Sequence, residues 1–300
     1  MQRSSYTLPV PELPEVEVTR RRLTPLLVGR VIASVDTTKD SYFFLTKPEA
    51  LKRSLSGRTV IELKRVGKYL LAELDDGNRL LLHLGMTGQL FSSAVSSARL
   101  FTAKTRGSLP TDAQREFKAD THTHLSLHFA DGGPSVLFRD VRKFGKVRLI
   151  RAGAADARLD KLGVDALTAK GEDLFTAARA RKIPIKSLLL DQGVIAGIGN
   201  IYADEALFLA KVRPTRSARR VTARECQAIV AGARRVMERS IETGGSSISD
   251  YVTPDGSDGG YQKERKVYAR KGLPCLVCQT PIRRLVIATR STHYCPDCQT

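Results

Sequence analysis

The sequence predicts an α+β chain in three successive parts: a β-rich N-terminal domain opened by one helix, a helical bundle, and a short C-terminal cysteine module on a β-hairpin. Three observations carry this prediction. Strand-length apolar stretches recur between residues 30 and 150, two of them joined by Asp75-Asp76-Gly77-Asn78, a strong hairpin signal. From about residue 152 the apolar period turns helical. Four of the five cysteines then fall in the last 26 of the 300 residues.

The opening helix starts near Pro14, because proline suits a first helical turn and Glu15 and Glu17 complement the positive end of the dipole. Val16, Thr19, Leu23 and Leu26 share one face, and Arg20, Arg21 and Arg22 form a basic run before Gly29. Strands are expected at 30–35, 60–65, 69–74 and 79–84. Leu125, Leu127 and Phe129 then alternate with polar residues before Asp131-Gly132-Gly133, and strands at 135–138 and 147–150 complete the set. Residues 11–150 thus read as a two-sheet β-sandwich. Within it, 92–120 is rich in Ser, Thr and charge without periodicity, which reads as a mobile surface loop. Residues 155–243 read as the bundle. Its last helix, 224–241, places Cys226, Ile229, Val230, Ala233, Val236, Met237 and Ile241 on one face, with Cys226 a small buried hydrophobe. Residues 244–262 read as a mobile glycine- and serine-rich loop, and 263–300 as the cysteine module. No internal repeat is present.

Charge narrows the function. Forty-nine Lys+Arg against 31 Asp+Glu give +18 at pH 7, an excess that points to a polyanionic partner, nucleic acid first. No apolar run approaches the length of a membrane span. Residues 1–10 lack the apolar core of a signal peptide, and the cysteines are clustered rather than spread as a disulfide framework, so a cytoplasmic setting is expected.

Several residue patterns could carry chemistry. Cys275-x2-Cys278-x16-Cys295-x2-Cys298 supplies two close thiolate pairs, the spacing of a tetrahedral Zn²⁺ site in a finger or ribbon. One structural Zn²⁺ per chain is expected, and a closed four-thiolate site leaves no position for catalysis. Redox CxxC pairs are the weaker reading, since no thioredoxin-like βαβ pattern surrounds them. Pro11-Glu12-Leu13-Pro14-Glu15-Val16-Glu17 reads blandly as a helix start, and Lys68 as a surface lysine before a strand. Gly193-x3-Gly197-x-Gly199-Asn200 lacks the spacing and acidic partner of a dinucleotide fingerprint. It can instead present N–H groups to a phosphate, with Asn200 as a further donor. His122, His124 and His128 share strand parity, and a basic edge or ordinary surface histidines explain them better than a metal site.

Together these residues resemble the formamidopyrimidine-DNA glycosylase family. The resemblance runs from Pro11 to Cys298 through motifs in order: PELPEVE, RVGKYLL at 65–71, HLGM at 83–86 and DVRKFG at 140–145. IKSL at 185–188, GNIYADE at 199–205 and the four-cysteine finger follow. It implies an N-terminal catalytic sandwich, a helix-two-turn-helix DNA-binding bundle and a zinc finger. The implied activity is excision of oxidised purines (8-oxoguanine and formamidopyrimidines) from double-stranded DNA, followed by β,δ-elimination at the abasic site, by a monomer associated with a bacterial nucleoid.

By the same resemblance Pro11 is the nucleophile, its secondary amine forming a Schiff base with the deoxyribose, and Glu12 is the general acid/base. Lys68 donates the proton for β-elimination and Arg290 the one for δ-elimination. Met86, Arg142 and Phe144 fill the space of the extruded base, with Arg142 bonding the orphaned cytosine. His122, Arg181, Lys182, Lys186 and Asn200 contact phosphates. Pro11 is internal in this sequence, and a tertiary amide nitrogen cannot attack C1′. Residues 1–10 are therefore expected to be absent from the active chain, with Val10 marking an alternative start; processing and an inactive protein are the other readings. Two further functions compete. An endonuclease VIII-like enzyme for oxidised pyrimidines is disfavoured by Leu13 and by the Met86, Arg142 and Phe144 set. A non-catalytic damage-binding protein would retain residues 1–10.

Overall fold

A computed structural model describes residues 11–95, 119–247 and 251–300. Helix α1 (Leu13–Leu27) opens the fold, followed by β1 (Ile32–Thr37), α2 (Pro48–Leu55), β2 (Val60–Val66), β3 (Tyr69–Leu74), β4 (Arg79–His83) and β5 (Gly88–Ser92). Then come β6 (Thr123–Phe129), β7 (Val136–Asp140) and β8 (Lys146–Ile150). The expected two-sheet sandwich is present: β1-β6-β7-β5 faces β2-β3-β4-β8, and all pairings within these sheets are antiparallel. The hairpin at 75–78 joins β3 to β4 in the register Leu70↔Leu82, Ala72↔Leu80, with Gly77 at φ 78°.

Two sandwich elements escape the sequence patterns. Helix α2 is short, but it buries Pro48, Leu51 and Leu55 on one face. Strand β5 is buried along its whole length, so it has no polar alternation to read. Strand β6 also departs from expectation, because its polar positions Ser126 and His124 are buried as well. His124 bonds Asp140 O at 2.9 Å and Thr38 Oγ1 at 3.1 Å, whereas His128 pairs with Asp36. Both are therefore accounted for without a metal.

The second part, read as a helical bundle over 155–243, begins with turns and a short strand before its first helix. Strand β9 (Val164–Asp165) precedes α3 (Gly171–Arg179) and α4 (Ile185–Leu189). Strand β10 (Ile195–Ala196) pairs in parallel with β9, and α5 (Asn200–Leu209) and α6 (Ala223–Glu242) follow. Every residue assigned to the apolar face of 224–241 is buried in α6. A Thr222–Glu225 capping box starts that helix, Glu225 N–H donating to Thr222 Oγ1 at 3.2 Å and Thr222 N–H to Glu225 Oε2 at 2.8 Å. The described part of 244–262 is packed at both ends and exposed in between: Ser246, Ser247, Tyr251, Val252 and Thr253 are buried, Val252 meeting Phe91, Val95 and Leu137, while Asp255, Ser257 and Asp258 are exposed. Most of the 92–120 loop, residues 96–118, lies outside the described residues. The chain ends in the hairpin β11 (Arg283–Ile287) and β12 (Arg290–Tyr294).

Helix α1 joins the two large cores. Leu13 and Val18 belong to the helical core with Ile201, Tyr202 and Met237, while Val16, Leu23 and Leu27 belong to the sandwich core with Phe43, Leu70 and Phe138. Each such fully buried leucine contributes about 1.5–3 kcal/mol of burial free energy. The N-terminus of α1 is thereby held at the junction of the two parts. Among the described residues no helix is long and apolar enough to cross a membrane.

Candidate active site

The junction gathers three stretches distant in sequence. Glu12 is the N-cap of α1, but its carboxylate turns away to the first turn of α5. There it accepts from Ile201 N–H at 2.9 Å and from Tyr202 N–H at 3.5 Å. Unpaired N–H groups and the helix dipole make this a favourable seat for an anion. The sequence had offered this glycine-rich turn to a phosphate; the protein's own Glu12 fills it. Gly199 makes the approach possible, since a Cβ there would overlap the Glu12 side chain. Leu13 N–H donates to Gly197 O at 3.2 Å. From the turn between β2 and β3, Lys68 Nζ donates to Ile198 O at 3.0 Å. Gln192 fixes the same loop, donating to Ile198 O at 2.9 Å and accepting from Gly197 N–H at 3.0 Å.

The electrostatics suit proton transfer near neutrality. Burial pushes the Glu12 carboxyl up to about 7; Lys68 pulls it down, Glu15 raises it further, and the two α5 N–H groups oppose the rise. Burial also lowers the Lys68 ammonium, Glu12 and Glu15 resisting and Arg290 adding to the fall. His83, on β4, is held down to about 4 by burial, with the Lys68 charge contributing. Arg290 opens β12 and is exposed, directly after Ala288 and Thr289, both at positive φ in the hairpin turn. Pro11 adjoins Glu12. Residues 1–10, on which the expectation of a free Pro11 amine rests, lie outside the described residues.

Met86, Arg142 and Phe144 sit on two interlocked turns. Gly85, at φ 62°, abuts the Phe144–Gly145 backbone so closely that a side chain would not fit. Asp140 ties the two turns together by accepting from Thr87 Oγ1, from Arg142 N–H at 3.1 Å and from Gly145 N–H at 2.6 Å. Met86 is half-buried, whereas Arg142 and Phe144 are exposed, the guanidinium 4.5 Å from the ring centroid. The ring and the guanidinium together present a flat surface with a polar edge.

The phosphate candidates divide. Lys182 is exposed, His122 is half-buried, and Arg181 is exposed but paired with Asp191 at 2.7 Å. Asn200 Nδ2 lies 3.5 Å from Ser291 Oγ. Lys186 departs from expectation: its ammonium is fully buried, 2.7 Å from Asp204 Oδ1, and donates to Ser291 O and Thr292 Oγ1 at 2.9 Å. In this arrangement it clamps β12 to α4 and α5 and presents no charge to a phosphate. Asp204 also accepts from His293 N–H at 2.8 Å. Neither Asp204 nor the equally buried Glu15 and Tyr202 was singled out as a site residue from sequence. For Glu15, the Glu three residues after the helix cap was the only signal.

The four cysteine sulfurs lie within 4.8 Å of one another, with Cys275–Cys298 at 3.9 Å and Cys278–Cys295 at 3.4 Å. A tetrahedron with Zn–S bonds of about 2.3 Å has edges of about 3.8 Å, so the donor set fits zinc. Val277 N–H and Cys298 N–H donate to Cys275 Sγ and Cys295 Sγ, each at 3.4 Å, the outer hydrogen bonds that suit thiolates acting as metal ligands.

Comparison with known proteins agrees with this geometry. Residues 10–147 match the formamidopyrimidine-DNA glycosylase N-terminal domain, residues 162–252 the H2TH domain of that enzyme, and residues 272–300 the zinc finger found in FPG and IleRS. The formamidopyrimidine-DNA glycosylase of Paracoccus denitrificans is 40% identical over 97% of this chain and 100% of its own. The crystal structure of the MutM (Fpg) protein from Thermus thermophilus superposes with a TM-score of 0.80 at 37% identity, covering 96% of this chain and 98% of that one. The Lactococcus lactis Fpg in complex with abasic-site DNA gives 0.81 at 33% identity, covering 97% and 100%. The chain belongs to the formamidopyrimidine-DNA glycosylase family.

Proposed function

We propose that the protein is a bifunctional DNA glycosylase and AP lyase that excises oxidised purines from duplex DNA and cleaves the strand at the resulting abasic site. The observation that carries this is the Glu12 carboxyl, buried beside Pro11 and Lys68 with its proton affinity near neutral pH. In the proposed reaction the Pro11 secondary amine attacks C1′ and the base leaves with its bonding electrons; the C1′–O4′ bond then breaks, the amine proton passes to O4′, and the ring-opened sugar is left as an iminium. Glu12 exchanges the proton at the sugar. The iminium acidifies the C2′ hydrogen, whose loss expels the 3′ phosphate; a second elimination expels the 5′ phosphate. Lys68 and Arg290 donate protons in these steps. Attack requires a free secondary amine, so the acting chain begins at Pro11.

Met86, Arg142 and Phe144 are assigned to the gap left by the extruded nucleotide, and Arg142 to the unpaired cytosine. Lys182, Arg181, His122 and Asn200 are assigned to phosphates, Arg181 after exchanging Asp191 for the backbone. One Zn²⁺ held by Cys275, Cys278, Cys295 and Cys298 gives the finger its folding free energy. The enzyme acts as a monomer. Base release from duplexes holding 8-oxoguanine opposite cytosine, against duplexes holding an oxidised pyrimidine, tests the reading. Faster release of the purine is expected, and preference for the pyrimidine would overturn the substrate assignment.

A further inference from the structure

Glu15 takes no part in the steps above, yet its surroundings are those of a working group. It is buried, and its carboxylate accepts three hydrogen bonds. Glu12 N–H donates to Oε2 at 2.9 Å, while the Tyr202 hydroxyl and Ser246 N–H reach Oε1 at 2.6 and 2.9 Å. The Tyr202 hydroxyl is also 2.6 Å from Ser240 Oγ. A glutamate that merely caps an exposed helix end makes the first of these bonds only. The other two come from α5 and from the turn after α6, both elements that bound the site. Glu12 N–H belongs to the peptide whose carbonyl carbon is that of Pro11. Its bond to Glu15 therefore fixes the plane of that peptide and, with it, the position of the Pro11 Cα from which the proline ring extends.

We propose that Glu15 is a positioning residue: it holds the Pro11–Glu12 peptide in its reactive orientation and keeps a fixed negative charge behind Glu12. The proposal rests on the reading of Pro11 and Glu12 as the catalytic pair. Burial raises the proton affinity of the Glu15 carboxyl, and the hydrogen bonds it accepts oppose that rise. Two of its three partners are backbone N–H groups that can only donate, which favours the carboxylate form. The titratable groups around it are Glu12 just before its helix, Lys68 from the β2–β3 turn, and the neutral hydroxyls of Tyr202, Tyr251 and Tyr261. Of these, Glu12 is the one whose protonation near neutral pH the Glu15 charge promotes.

The test uses chains beginning at Pro11. Single-turnover release of 8-oxoguanine is measured between pH 5.5 and 9, alongside Kd for a duplex with a non-cleavable abasic analogue. Glu15→Gln removes the charge and orphans at least one donor. Its release rate should fall about 100-fold, the order expected when a reacting group is misplaced by roughly an ångström. Kd should stay near native, and the limb governed by Glu12 should move to lower pH. Glu15→Asp keeps the charge but shortens the reach, so its rate should fall with the limb unmoved. A Glu15→Gln protein with native rate and profile would overturn the proposal, as would losses of binding and rate in equal proportion in both variants. A native chain beginning at Pro11 that releases no base would overturn the catalytic pair, and the proposal with it. An active native chain with an indifferent variant overturns the Glu15 role alone.

Discussion

Replacing Asp204 by Asn should be among the most destabilising isosteric changes in this protein, and its cost should depend on pH. The Lys186–Asp204 pair has both side chains at 0% exposure with 2.7 Å between Nζ and Oδ1. Breaking a buried pair from one side leaves an uncompensated charge and costs about 3–5 kcal/mol. Lys186 can escape by losing its proton, and burial already presses its ammonium in that direction. Taking a lysine from its ordinary value of 10.5 to neutrality at pH 7 costs about 4.8 kcal/mol, at about 1.4 kcal/mol per unit, which caps the penalty. In the variant Lys186 is then neutral when folded and charged when unfolded. The unfolded state binds the extra proton, so stability rises with pH by up to about 1.4 kcal/mol per unit between pH 7 and 9. Urea denaturation at pH 7, 8 and 9 reads both quantities. A variant within about 0.5 kcal/mol of the native protein, the range of an ordinary surface substitution, would refute the buried ion pair. So would a penalty that does not shrink with pH.

Other outcomes follow from the same structure. Cys298→Ser should lose stoichiometric zinc and melt the finger while leaving the sandwich folded, as metal analysis and limited proteolysis would show; full zinc occupancy would contradict the four-thiolate site. Neutralising roughly five to eight phosphates gives log K against log[salt] a slope of about −4 to −7, measurable by fluorescence anisotropy; a slope near zero would detach the +18 charge from DNA. Arg142→Ala should reduce discrimination for cytosine opposite the lesion by roughly 1–3 kcal/mol, and an unchanged opposite-base preference would refute its role.

Where local pattern sets the structure, the sequence was readable. Strand β3 has the predicted bounds 69–74 because its turn and its apolar run coincide, and the α6 face follows from a strict helical period. The cysteine spacing likewise reports a local geometry. What escaped is tertiary. Strand β5, covered on both faces, carries no polar period, and α2 is only 8 residues long. Residues after 155 look helical in composition, yet Asp165 is held by Arg65 at 2.6 Å, and its short strand takes Ile195 and Ala196 as partners. Lys186 illustrates the limit of charge. A lysine that faces a phosphate and one that faces a buried aspartate have the same letter, and only α5 and β12 distinguish them. Glu15 escaped for the same reason, since Ser246 lies 231 residues away in sequence.

If Pro11 carries the covalent chemistry through a free amine, borohydride reduces its iminium to a stable protein–DNA bond. A chain verified by mass to begin at Pro11 should form a covalent adduct with a duplex containing 8-oxoguanine. The chain that keeps residues 1–10, identical from Pro11 onward, should form none, because its Pro11 nitrogen is an amide. Equal trapping by the two chains would contradict the account, and Lys68, the amine already beside Glu12, would be the first alternative nucleophile.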